Sequence, residues 1–176
     1  MGLDMYLYAR KHEYSSSFYK TKKTKLTPAY PADIIKVFPE FSQESVDALP
    51  EDEHSFGDRR AVKRNTYYEI GYWRKANQVH NFFVQKCGDG VDECQEIYVD
   101  EDQLKELKEN CEYVLQNKDR ASEVLPTQSG FFFGSTEYDE YYYEDIRHTL
   151  DVVNKALALI ANDKDRNYDI IYQASW

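Results

Sequence analysis

The stretch GLDMYLYAR, Gly2 to Arg10, alternates cleanly: Leu3, Met5 and Leu7 point one way, Asp4, Tyr6 and Tyr8 the other. A period of two marks a strand with one buried and one wetter face. Such a strand needs neighbours and a cover. TYYEIGYW, Thr66 to Trp73, is a second run rich in β-formers, NYDIIYQ reads as a closing strand and QEIYV as a short one.

Helices are expected to supply the cover. Asp100 caps an amphipathic helix whose buried stripe is Leu104, Leu107, Cys111, Val114 and Leu115. The longest helix is predicted over roughly 138–162, where Ile146, Leu150, Val153, Leu157 and Ile160 recur at helical spacing. A helix of about three turns is expected from Arg74 through RKANQVHNFFVQK, closed by Gly88, and a short one around Ala32–Val37. GFFFG reads as a third buried strand, because three phenylalanines without alternation suit a strand covered on both faces. Ser135 or Thr136 would then cap the long helix. Residues 11–65 read as an irregular and partly mobile excursion. Together these elements predict a single α+β domain over residues 1–176, a mostly antiparallel sheet packed by helices on one face.

Charge is uneven along the chain. Residues 1–30 hold six Lys/Arg against two Asp/Glu, a net of +4; residues 89–176 hold eight against 21, a net of −13. KTKKTK, Lys20 to Lys25, is expected to be dispensable for folding, since it offers no apolar stripe. The total of −10 argues against general nucleic-acid binding. Cys87, Cys94 and Cys111 are odd in number and lack CxxC spacing, which favours a reduced, cytoplasmic protein. The N-terminus carries no basic and apolar leader pattern, and no apolar run is long enough to span a membrane.

Three segments can carry chemistry. In YWRKANQVHNFF, helical spacing from Arg74 would put Arg74, Asn77, Gln78 and Asn81 on one face, with Trp73, Asn77 and His80 in an adjoining row. Amides there can read a base or sugar, and Arg74 or Lys75 can hold a phosphate or carboxylate. The alternative is a polar network tying the segment to a neighbouring loop. The second segment is Gln128 to Tyr142, in which Ser135, Thr136, Tyr138, Asp139 and Tyr142 follow the phenylalanines. The turn there is expected to present hydroxyls and backbone N–H groups to Asn77, Gln78 and His80, directly or around a ligand, with Asp139 or a bound anion meeting Arg74. The third is Tyr141, Asp145 and His148, spaced so that a carboxylate can orient an imidazole. No GxGxxG, P-loop, HExxH, zinc-type cysteine pair, EF-hand register or GxSxG elbow occurs, so no cofactor or metal is called for.

MGLDMYL, EIGYWRKANQVHNFF and LPTQSGFFFGSTEYDEYYYEDI together resemble the motifs of a family of small bacteriophage and prophage proteins. Those motifs are an opening MGLDMYL, YWRKANxxH and FFFGSTxYDEYY. The likeness covers most of the chain outside residues 11–60; SSSFYKTKKTK has no counterpart in it. It implies a phage product acting in the host cytoplasm and brings no catalytic residue with it. The leading expectation is a binding protein without catalysis. Its polar and aromatic pocket would hold a small anionic or nucleotide-like ligand, in a counter-defence role. An acidic, tyrosine-rich protein that inhibits a host nucleic-acid-processing protein is a second reading. A hydrolase or transferase using His80 or His148 is a third.

Overall fold

The computed structural model describes residues 2–16, 32–40, 52–55 and 61–176. Five strands form one sheet, β1 (Asp4–Ser16), β2 (Asp52–Ser55), β3 (Ala61–Arg74), β4 (Ile97–Val99) and β5 (Tyr168–Ser175), in the order β2-β3-β1-β5-β4. Every pairing is antiparallel. Leu3, Met5, Leu7 and Ala9 are buried with Ile70, Trp73, Ile170, Tyr172 and Ala174 in the core that faces the helices. The α+β architecture expected from the sequence is the one observed.

α1 is Ala32–Val37, α3 Glu101–Gln116, α4 the single turn Ala121–Val124 and α5 Glu140–Asn162. α3 begins as expected: Asp100 accepts from the Gln103 backbone, and the Gln103 side chain accepts from the Asp100 backbone, a reciprocal capping box. Leu104, Leu107, Cys111 and Val114 are buried and Leu115 half-buried. In α5 the buried face is Tyr142, Tyr143, Ile146, Thr149, Val152, Val153, Ala156 and Leu159, while Leu150, Leu157 and Ile160 sit at its margin. Its cap is Asp139, not Ser135 or Thr136: Asp139 Oδ1 accepts from Tyr142 N at 3.1 Å. A carboxylate is the stronger acceptor at a helix N-terminus, where the dipole also favours it.

Three expectations are corrected. α2 (Asn77–Phe82) starts three residues later than Arg74 and continues as a π-helical turn, Phe83–Cys87. Arg74 belongs to β3 because Asp4 of β1 pairs with it, and Lys75 then reverses the chain at φ 63°. GFFFG is a turn and not a strand. Phe133 N donates to the Gly130 carbonyl, Phe131 is 96% exposed, and Phe133 alone of the three is buried. The turn is closed by the Phe133 N–Gly130 carbonyl bond and by Gly134 at φ 90°, which bend the backbone away from an extended strand. Parts of the 11–65 excursion are strand: β1 runs on to Ser16 opposite Ala61, and Asp52–Ser55 pairs with 62–65. These extensions rest on ladder pairing and carry little apolar alternation, so the sequence pattern hides them. The KTKKTK segment lies outside the described residues.

Two close approaches fix where the site forms. A Cβ on Gly71 would lie 2.6 Å from Val152 Cγ1, so β3 and α5 meet at a position only glycine allows. A Cβ on Gly134 would lie 3.0 Å from Lys75 Cβ, and Gly134 takes φ 90°, so the turn lies directly on the end of β3.

Candidate functional site

The turn after the phenylalanines and the segment around α2 are in contact, and one buried side chain joins them. Asn77, 1% exposed, donates through Nδ2 to the Phe133 carbonyl (3.0 Å) and the Ser135 carbonyl (2.8 Å). Its Oδ1 accepts from Gln128 N at 2.9 Å. Of the expected hydroxyls and backbone N–H groups, only a backbone N–H, that of Gln128, meets Asn77; the other two partners are carbonyls of the turn. Leu3 N donates to the Phe132 carbonyl at 3.1 Å, so β1 holds the same turn from its other side.

Beside this junction lies a cavity of about 270 Å³ lined by Arg74, Lys75, Gln78, Gly134, Ser135, Glu137, Asp139, Tyr141, Tyr142, Glu144 and Asp145. The end of β3 brings Arg74, the reversal after it Lys75, α2 Gln78, the turn Gly134, Ser135, Glu137 and Asp139, and the first two turns of α5 the rest. Lys75 has no ion-pair partner among the described residues, and Arg74 stands 4.0 Å from Asp4, a loose contact. The Lys75 head is unpaired among the described residues and Arg74 is held only loosely, so both can meet an anion. In the same lining Gln78, itself buried, donates through Nε2 to Asp145 Oδ2 at 3.3 Å. Burial pushes the Asp145 carboxyl up to about 6; the Gln78 hydrogen bond and His148 pull the other way. A carboxylate poised in this way against a cavity wall is a marker of functional sites.

Of the twelve residues expected to bind a ligand, Arg74, Lys75, Gln78, Ser135, Asp139 and Tyr142 line this cavity and six do not; Tyr141 and Asp145, expected with His148 as an acid/base group, line it as well. Trp73 is buried, its Nε1 donating to Thr149 Oγ1 at 2.9 Å. Asn77 and Gln128 hold the turn, and the buried Gln128 Oε1 lacks a hydrogen-bond partner. Thr136 is exposed and its carbonyl accepts from Thr127 Oγ1. Tyr138 OH accepts from Thr127 N at 3.2 Å. His80 is fully buried, with Nδ1 2.7 Å from Tyr172 OH and Nε2 3.1 Å from Asp92 Oδ2. His148 is exposed and sets Nε2 2.9 Å from the Tyr72 carbonyl, so Asp145 does not orient it. Glu137 and Glu144 were not singled out. Their signal was positional, since both flank the Asp139 cap on the face that carries Tyr141 and Asp145.

The chain matches no protein-family model, no curated protein and no solved structure. Among the described residues no helix is long and apolar enough to cross a membrane, and no group of three His, Cys, Asp or Glu is placed to hold a metal ion.

Proposed function

We propose that the chain is a binding protein without catalytic action, and that its ligand is small and sits between Arg74 and Asp145. The observation that carries this reading is the concavity itself: Arg74, Lys75 and the elevated Asp145 carboxyl line one cavity. Six ionisable side chains, two cationic and four acidic, suit a ligand with two ends. An anionic group meets Arg74 and Lys75, and a hydrogen-bond-donating face meets Asp145. A nucleotide has both, a phosphate and an amino-bearing base. The volume, slightly below the ~300 Å³ where pockets for drug-sized ligands begin, restricts the ligand to mononucleotide size or less. In the phage setting that the sequence resemblance implies, withdrawing a host nucleotide would be the use of such a pocket.

A hydrolase or transferase reading gains one observation, the raised Asp145, and loses two. His80 has both ring nitrogens engaged away from the cavity, and His148 faces a backbone carbonyl. Isothermal titration with AMP, GMP and their diphosphates tests the reading. Binding that falls at least tenfold in Arg74→Ala, with an unchanged melting temperature, is the expected result. Flat heats across the panel would overturn the nucleotide-like assignment.

A further inference from the structure

The sheet face turned away from the helices carries its own pattern. In β1 it presents Asp4, Tyr6, Tyr8 and Arg10, and the register sets Tyr72 opposite Tyr6, Glu69 opposite Tyr8 and Tyr67 opposite Arg10. On the other flank Asp169 lies opposite Arg10 and Ile171 opposite Tyr8, with Tyr98 beyond Ile171. The rings form one connected layer. Tyr6 stacks on Tyr8 at 5.8 Å and tilts against Tyr72 at 5.3 Å, and Tyr8 meets Tyr67 edge-on at 5.9 Å. Beneath them Ile171 is fully buried although it lies outside the main core. Among the described residues no helix covers this layer, and Tyr72 and Tyr98 remain 39% and 58% exposed.

Carboxylates outnumber cations on the layer: Asp4, Glu69, Glu96 and Asp169 stand against Arg10 and, opposite Asp4, Arg74. Its buried cation, Arg10, is spent internally: Nη1 lies 3.1 Å from Glu96, Nη2 lies 2.9 Å from Asp169, and the guanidinium rests over the Tyr98 ring at 4.7 Å. Asp4 accepts from Tyr72 OH at 2.6 Å. Glu69, half-buried among the rings, has no hydrogen-bond or ion-pair partner among the described residues. Burial raises its carboxyl, and burial followed by Glu69 raises Tyr8 to about 12.

We propose that this face docks an extended segment of a partner protein that carries arginine or lysine side chains. Such a side chain lays its cation over a tyrosine ring and reaches a carboxylate at the same time, as Arg10 already does within the fold. Glu69 then gains the counter-charge it lacks. Four carboxylates repel a phosphate backbone, which disfavours nucleic acid. A second copy of this chain would bring the same acidic face to its own, like charge against like. The surface adjoins the Arg74–Asp145 cavity where Asp4 stands 4.0 Å from Arg74, but its tyrosines and Glu69 lie outside the cavity lining, and neither proposal depends on the other.

The test is a titration of ¹³C-tyrosine-labelled protein with the peptide (Arg-Thr)₅, followed by NMR. Ring signals of Tyr6, Tyr72 and Tyr98 are expected to shift, while those of Tyr113 and Tyr141 on the helices stay in place. The affinity should fall at least tenfold in Glu69→Gln/Tyr72→Ala. It should hold in a matched pair on α3, Glu109→Gln/Tyr113→Ala. Equal shifts at Tyr113 or Tyr141, or an equal loss in the α3 pair, would reduce the contact to bulk charge and overturn the proposal. Equal binding of (Glu-Thr)₅ or of a thymidine decamer would overturn it as well.

Discussion

Arg74 and Asn77 are three residues apart and meet opposite fates. Asn77 is sealed in the fold with both donor hydrogens and its acceptor used, while Arg74 stands at a cavity wall with only a loose contact. The difference shows how one polar segment divides its labour. Asn77 ties the turn in place, while Arg74, Lys75 and Gln78 of the same segment face the cavity. Polar residues clustered in a sequence therefore do not share a role merely because they share a motif.

Substitutions on the two sides should separate cleanly. Asn77→Ala has the largest expected effect. It strands the Phe133 carbonyl and Gln128 N and unpins the turn, at a cost of about 3 kcal/mol in denaturant unfolding. Tyr172→Phe should cost about 1.5 kcal/mol, because it leaves His80 Nδ1 buried without its partner. A cost near zero in either variant would break the division, since it would mean that these polar groups are not holding the fold.

On the cavity side the signs change. The folded Asp145 carboxyl, at about 6, lies above its ordinary 3.8, so its neutral form is the one the fold prefers. Its contribution is fully present below about pH 4 and is lost as pH rises through about 6. Asp145→Asn should therefore stabilise the protein at pH 7 by about 1 kcal/mol, after allowing for its partial exposure, and by nothing at pH 3. Equal stability of the two forms at both pH values would show that Asp145 is not held against its charge. Arg74→Ala should change stability by less than about 0.5 kcal/mol, checked by thermal melting.

How far the sequence revealed all this varied with the kind of signal. Alternation in GLDMYLYAR, the Asp100–Gln103 box and the α5 periodicity are local, and each element formed where its pattern lay. The start of α2 was displaced because strand pairing with β1, a contact distant in sequence, claims Arg74. GFFFG misled for a similar reason. Its apolar content pointed to burial, but the Leu3 and Asn77 hydrogen bonds make it a turn that buries one ring and exposes another. The cavity was half legible: its two segments stood out as polar motifs, while Glu137 and Glu144 look in sequence like ordinary helix-start acids. Their meaning comes only from the wall they share with Arg74.

We propose that the fold holds this cavity open for a small ligand. Native mass spectrometry of the protein purified from cells that express it tests this most directly, with Arg74→Ala, Asp145→Asn and Tyr172→Phe measured beside it. The account predicts a small-molecule adduct on the parent protein and on Tyr172→Phe that is absent from Arg74→Ala and Asp145→Asn. A bare polypeptide mass throughout, or an adduct that persists in both cavity variants, would contradict it.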